Sequence, residues 1–558
     1  MIRNAQPLVW RPRGVSDTLD SSSAFEGAMT FLTNLIPDPS TSGLFQCRPA
    51  AIKLIDATMM GGGFSSGFSS GFQTAGTSST AGTISVFHIF SNLVYGMIGN
   101  TATGFDTPFC FNLSTNTFIT VSGVTSSNVP QSQPTSGPWT PPIMDLIGTK
   151  LVVTHPGFSA TSSMFGWFDL TTPTAPVWNA GNLTGAITFS IPPTFVAQFN
   201  GRAYYIVNVV VQPAVVFSDI FNPLNVTNAT QVVTFGDTIP LTALGQLRLF
   251  NQLGGIIQAL IIFKGVSNTY QLTGDSALNN LTLNAMNFAT GTRSPLSVCS
   301  TPKGLAFLAP DGLRIIDFQA NISDPIGVDG KGIVVPFINV AVPSRAVAAC
   351  NVDVIRVTVQ NPLVTQQQQE WWYHISRGIW TGPHTFPAAL IQPFQASFLL
   401  TGVGIPAKIW QSDTVQSLSG AFVENGLQMT WIYQTTLLPD LDIMSNYSVK
   451  QTTFDLAFAA TTPPIAINFQ DQQGVVIDSI QIVPTGSSAI WGQFNWGSSV
   501  WGSSLLALAP RRLPWRNALS FSRGFFEANG QSASAIKLGT LRLMLQKLKF
   551  LTDVQAAA

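Results

Sequence analysis

The sequence predicts an all-β chain: a β-propeller of roughly seven blades with a second β-rich domain, here termed the platform, in the C-terminal segment. Three observations predict it. Runs of β-branched and aromatic residues bounded by Gly, Asn and Pro recur along the chain, while long helical periodicity is hard to find. A strand–turn–strand repeat is legible, since "CFNLSTNT" (Cys110 to Thr117) aligns with "WFDLTTPT" (Trp167 to Thr174) at an offset of 57 residues. In that alignment Phe111 matches Phe168, Asn112 matches Asp169 and Leu113 matches Leu170, with a weaker third copy at "WYHISRGIWTG" (Trp372 to Gly382). All-strand repeats of roughly 40–50 residues point to propeller blades, which leave only short, protected edges. Beyond Asp440 the pattern changes, which sets off the second domain.

Residues 1–82 read as an N-terminal arm and a Gly/Ser/Phe-rich loop. Within them "MTFLTNLIPDPSTSGLFQCRPA" (Met29 to Ala50) holds three prolines, a glycine and one arginine, too broken for a helix. It reads as a rigid arm crossing from platform to propeller, with Arg48 a buried anchor. Residues 83–439 carry the propeller strands. "GTISVFHIFSNLVYGMIGN" (Gly82 to Asn100) and "DLIGTKLVVTHP" (Asp145 to Pro156) are strand pairs, and "FCFNLSTNTFITV" (Phe109 to Val121) is a hairpin turning at Ser-Thr-Asn. "LAFLAPDGLRIID" (Leu305 to Asp317) turns at Pro310-Asp311-Gly312, residues with the backbone freedom a tight turn needs. Residues 440–558 form the C-terminal platform, a sandwich or small sheet. There Leu541, Leu543 and Leu545 alternate with Arg542, Met544 and Gln546, as in a half-buried strand.

Charged residues make up 9% of the chain, against the roughly 25% usual in soluble domains. Lys+Arg and Asp+Glu number 26 each, so the net charge is zero. A lone particle of this kind would tend to associate, which suggests a surface largely taken up by neighbouring subunits. Mean hydropathy is +0.28, yet the most apolar run, "GGIIQALIIFKGV" (Gly254 to Val266), is too short to span a bilayer. The N-terminus lacks the apolar core of a signal peptide, so synthesis in a cytoplasm is expected. Cys47, Cys110, Cys299 and Cys350 lie far apart without metal spacing and read as buried free thiols.

No constellation in the sequence carries chemistry, and no catalytic, cofactor-binding or metal-ligating residue is assigned. "GFSSG" at Gly63–Gly67 and Gly67–Gly71 matches the nucleophile-elbow pattern, but it sits in the low-complexity stretch Gly61 to Gly82 without flanking strand or helix. His88, His155, His374 and His384 show no ligand spacing. "GVDGKG" (Gly327 to Gly332) lacks the phosphate-loop spacing, and "PDLD" (Pro439 to Asp442) is at most half a calcium site. Basic residues at Arg11–Gly14, Ala509–Arg516, Lys537, Arg542, Lys547 and Lys549 make no continuous stripe of the kind a tight DNA binder needs. Trp371, Trp372 and Trp380 would stack on sugars if exposed, although propeller hairpins routinely bury such rings.

Several segments resemble the nozzle, or tail tubular, protein of short-tailed bacteriophages, including those named packaged-DNA stabilisation proteins. The resemblance lies in Asn34, Leu35, Pro37, Gly43, Leu44, Arg48 and Pro49 of the arm, then "QFNGRAYYIVN" (Gln198 to Asn208) and "VVFSDIFNPLNVT" (Val215 to Thr227). It continues through "FGDTIPLTAL" (Phe235 to Leu244), "ALIIFKGVSNTYQLTGD" (Ala259 to Asp275) and "GTRSPLSVCSTPKGLAFLAPDGLRII" (Gly291 to Ile316). The Gly/Phe repeat at Gly61–Phe72 departs from it. The resemblance implies a non-enzymatic virion component: a hexamer ring at the end of a short tail, below portal and adaptor, near tail fibres or needle, with a β-rich platform domain built from the N-terminal arm and the C-terminal segment together and contacting the adaptor. Its channel would retain the genome and pass it, without sequence preference, during DNA ejection at the host envelope. No cofactor or small-molecule substrate is implied. The alternative is a carbohydrate-binding or adhesive propeller, such as a fibre or spike component; a propeller hydrolase would need an acid/base pair at the central channel.

Overall fold

The computed structural model describes residues 5–16, 27–57, 81–100, 104–132, 139–159, 163–250, 255–275, 280–286, 289–326, 337–338, 340–360, 368–412, 422–438, 447–458, 463–483, 509–513, 520–521, 523–533 and 536–547. The described chain is all-β. Seven small antiparallel sheets follow one another, beginning at Ala81–Phe90, Ile143–Ile147, Phe195–Phe199, Leu241–Phe250, Cys299–Thr301, Val347–Asn351 and Ala388–Phe394. Each of these first strands packs on the first strand of the next sheet, and the last returns to the first. The result is a closed seven-bladed propeller, with these strands innermost.

The repeat seen in the sequence is the outer hairpin of the first, second and sixth blades, Phe105–Asn112 with Thr117–Ile119, Phe165–Asp169 with Val177–Gly181, and Gln368–His374 with Ile379–His384. The matched positions do matched work. Phe111 and Phe168 are buried. Asn112 Oδ1 accepts the backbone N–H groups of Ser114 and Thr115 at 2.8 and 3.2 Å, and Asp169 Oδ1 accepts the N–H and hydroxyl of Thr171 at 3.0 and 2.6 Å. Each side chain closes its own turn, which is why Asn and Asp interchange there. Among the described residues the fifth blade has three strands, ending in the hairpin Gly304–Ala309 and Gly312–Ile316.

Strands pair across both expected boundaries, 82 and 439. Ile52–Asp56, from the arm, is the fourth strand of the seventh blade, with Ile55 opposite Ile409 of Ile405–Ser412. The chain thus completes its last blade with a strand from before the first blade, which covers the edge of Ile405–Ser412. At the other end Thr430–Thr435 is already a platform strand. It lies between Ala28–Thr33 and Gly524–Gln531, in a sheet that continues from the sixth blade through Ala28–Thr33 and ends on Ile465–Asp471 and Val476–Ile482. A second platform sheet joins Leu35–Pro37, Phe45–Cys47, Lys537–Lys547, Tyr447–Ala457 and Ala509–Leu513, with Ala5–Trp10 along Lys537–Lys547.

These two sheets form a sandwich over a shared core that includes Trp431, Tyr433, Phe454, Phe526, Leu541 and Leu543. Phe454 meets Tyr433 and Phe526 with ring centroids 5.2 Å apart, and the Tyr433 hydroxyl donates to Gly539 O at 2.9 Å. Leu541, Leu543 and Leu545 face this core while Arg542 stands outside, as the alternation predicts.

Candidate functional site

Propellers present their ligands to the axis or to the loops around it, so the innermost strands come first. Among the described residues these seven strands hold one carboxylate, Asp145, one arginine, Arg248, and one histidine, His88. Asp145 caps the neighbouring blade: its Oδ2 accepts the Gln198 N–H at 2.6 Å and its Oδ1 the Leu146 N–H at 2.8 Å. Burial pushes its pKa up to about 6, against the pull of those two N–H groups. Gln246 of the fourth blade donates to the Gln198 amide oxygen at 3.0 Å, and Gln392 of the seventh to Phe87 O of the first at 2.5 Å. The polar side chains here stitch blade to blade. A lone carboxylate does not make the paired acid and base of glycoside hydrolysis. Between the third, fourth and fifth blades lies a cavity of about 430 Å³, bordered by Phe199, Gln246, Arg248, Gln258, Ser300 and Thr301.

The arm anchor is the most heavily bonded polar site. Arg48 is 1% exposed and grips Glu424 through both terminal nitrogens, at 2.6 and 2.7 Å. Its Nε donates to Asn34 Oδ1 at 2.8 Å, and Glu424 also accepts the Ala51 N–H at 2.9 Å. Asn34 has φ +55°, which asparagine tolerates well, and its amide reaches Thr430 O and Thr385 Oγ1. The arm therefore binds the sixth blade, the Glu424 turn and the platform at once. Lys537 pairs with Asp38 at 2.6 Å, and Phe45 stands opposite Leu538, so the arm packs against residues beyond 440 as expected.

A second buried pair joins the sixth and seventh blades. Glu370 accepts from Arg356 Nε (2.6 Å), Trp372 Nε1 (2.6 Å) and the Ala388 N–H (2.7 Å), while Arg356 donates to Ser412 Oγ at 2.7 Å. The Arg356 guanidinium lies 4.6 Å from the Trp372 ring centroid and the Arg48 guanidinium 5.9 Å from it. His384 stacks on the same ring at 4.6 Å, and its Nδ1 accepts the Asn34 N–H at 3.1 Å. Its Nε2 therefore carries the proton toward Thr381 Oγ1 (3.3 Å), which donates onward to His374 Nε2 at 3.1 Å.

Both histidines are held neutral. Desolvation, then Arg48 and Arg356, hold His384 well below its ordinary value; desolvation brings His374 down to about 4. His88 is likewise lowered to about 4 by burial. Between pH 6.5 and about 4 the unfolded chain binds protons that these folded-state histidines refuse, so stability falls as pH falls, by up to about 1.4 kcal/mol per pH unit for each. Asp145 acts in the opposite sense between about 6 and 3.8, where the folded state holds the extra proton. Urea unfolding across this range should show a falling midpoint, flattened by His374→Asn and steepened by Asp145→Asn.

The sequence candidates resolve as follows. Trp371, Trp372 and Trp380 are 5%, 2% and 1% exposed, so they are core rings between sheets and not sugar platforms. His155 lies 3.0 Å from Asp106 and accepts the Gly157 N–H, both of its ring nitrogens engaged. Cys47, Cys110, Cys299 and Cys350 are free thiols, three buried and one partly buried. Arg512 and Arg542 stand on either side of Thr453 in the outer platform sheet, but Asp455 neutralises Arg542. The elbow matches at Gly63–Gly71, "GVDGKG", "PDLD" and Lys549 lie outside the described residues. Among the described residues no three His, Cys, Asp or Glu gather as metal ligands, and no helix is long and apolar enough to cross a membrane. Sequence reasoning missed Glu424, 376 residues from its partner Arg48, and the Arg248 cavity.

No protein-family model matches the chain, and no curated protein does. Solved structures with some likeness include an exo-beta-1,3-galactanase from Phanerochaete chrysosporium, 11% identical over 83% of this chain and 95% of that one, with a TM-score of 0.27. A puromycin hydrolase is 9% identical over 64% of this chain and 59% of that one, with a TM-score of 0.39. The Trypanosoma rangeli sialidase is 7% identical over 93% and 96%, with a TM-score of 0.26. Likeness at this level carries no argument about what this chain binds or does.

Proposed function

We propose that this chain is a non-enzymatic subunit of a six-membered ring, the nozzle at the end of a short phage tail, whose channel retains and then passes the genome. The observation that carries this reading is the platform. Segments from both chain ends, Ala5–Trp10, Leu35–Pro37, Phe45–Cys47 and Lys537–Lys547, interleave in one sheet beside a seven-bladed propeller. That is the arrangement the sequence resemblance implies. The surface also suits assembly. The ten-stranded sheet ends on Val476–Ile482, whose outer edge has no partner among the described residues, and Val475, Val476 and Val483 are 62%, 50% and 55% exposed. An exposed apolar edge on a nearly uncharged chain favours contact with a neighbouring copy. Identical subunits joined head to tail by such a heterologous contact close into a ring. The poverty of charge on the inner strands is consistent with a stitched scaffold in place of a catalytic centre.

Negative-stain images of the purified chain test the reading. Rings of six copies with a central channel are expected. A population of single propellers at every concentration, or a fibrous spike, would overturn it and favour the adhesive reading instead.

A further inference from the structure

The cavity between the third, fourth and fifth blades has a composition unlike the other polar sites of the propeller. Arg248 and Gln258 face each other across the hairpin of Leu241–Phe250 and Ile256–Lys264, and Gln246 lies two residues along the strand from Arg248. Ser300, on the innermost strand of the fifth blade, borders the same space. Arg248, Gln258 and Ser300 are exposed, so the cavity opens to solvent. Three other propeller arginines are already occupied: Arg202 by Ser218 O at 2.8 Å, Arg314 by Asp311 and Arg356 by Glu370. Among the described residues no hydrogen bond or ion pair occupies the Arg248 guanidinium, the Gln258 amide or the Ser300 hydroxyl.

We infer that this cavity is a binding site for an acidic saccharide, a sugar unit carrying one carboxylate. A guanidinium offers a planar fork that fits a carboxylate through two parallel N–H groups. One arginine matches one carboxylate and would leave most of a polyphosphate's charge unmet. Glutamine amides and a serine hydroxyl both donate and accept, which suits sugar hydroxyls that do the same. At about 430 Å³ the space falls in the range of small-ligand sites, roughly 300–1,000 Å³. The site is complete within one chain and does not depend on ring assembly. It also differs from the tryptophan hairpin that the sequence suggested for sugars, whose rings are buried.

The test is a binding titration of the whole chain by ligand-observed NMR, with methyl β-D-glucuronide and N-acetylneuraminic acid as acidic probes and methyl β-D-glucoside as the neutral one. Saturable binding of an acidic probe is expected, about tenfold or more tighter than the glucoside. Arg248→Gln should remove that preference, and Gln258→Leu should weaken acidic and neutral sugars alike. Both positions are exposed, and an unchanged melting curve will show that the variants fold. No saturable binding of either acidic probe, equal affinity for the glucoside, or undiminished binding by Arg248→Gln would overturn the site. A chain that binds the glucuronide yet forms no ring sinks the nozzle reading alone, and a ring that ignores the sugars sinks this one alone.

Discussion

Replacing Arg48 with alanine will loosen the arm by about 3–5 kcal/mol, the cost of leaving a buried carboxylate without its cation. The partner left behind is Glu424, whose side chain is 6% exposed and which would retain only the Ala51 N–H as a donor. The loss should appear first in hydrogen exchange at Phe45–Cys47 and Ile52–Asp56, the strands on either side of Arg48 in the chain. Exchange there should speed up by about a hundredfold or more, given that energy. Blade strands far from the arm, such as Arg202–Val207, should keep their protection. A matched double replacement, Arg48→Met with Glu424→Leu, should recover most of the loss, because it removes both charges together. If Arg48→Ala leaves exchange at Ile52–Asp56 unchanged, the pair does not hold the arm.

Glu370→Gln will produce the other large effect, about 3 kcal/mol or more, at the joint of the sixth and seventh blades. Glu370 is 0% exposed and accepts from Arg356, Trp372 and the Ala388 N–H. Glutamine keeps the volume but removes the negative charge that faces the buried Arg356 guanidinium, which also donates to Ser412. Arg356→Lys should cost nearly as much, since an ammonium cannot reproduce the fork or stack on Trp372. Denaturant unfolding followed by tryptophan fluorescence measures both, and a shift below about 1 kcal/mol for either would contradict the account.

The architecture was legible where it is local. Hairpins announce themselves through turn residues, so Cys110–Thr117, Trp167–Thr174 and Leu305–Asp317 were read correctly as strand, turn and return. The alternation at Leu541–Gln546 gave the platform strand and its buried face. Non-local pairing was not legible. Ile52–Asp56 reads as a short apolar run inside an irregular arm, and nothing in those five residues names Ile405–Ser412 as their partner. The same holds for Thr430–Thr435, which resembles any blade strand until its neighbours Ala28–Thr33 and Gly524–Gln531 are known. Arg48 stood out because it is a lone charge between prolines, so its burial was foreseeable while Glu424 was not. For the tryptophans of the sixth blade burial was the stronger expectation, and the rings are buried, although ring area has the same composition whether it faces a ligand or a core. Arg248 gave no signal at all, since one arginine in an alternating strand is what any solvated face contains.

The central claim is that this chain works as one copy in a closed ring at the distal end of a short tail. A cryo-electron microscopy map of the assembled tail tests it most directly. The account predicts six copies of the propeller and its two-sheet platform around one channel. The platforms, carrying Ala5–Trp10 on Lys537–Lys547, should be turned toward the tail's adaptor, and Val476–Ile482 should lie against the next copy. A tail whose distal ring is built of a different fold, with this propeller absent or present only as a peripheral spike, would contradict it.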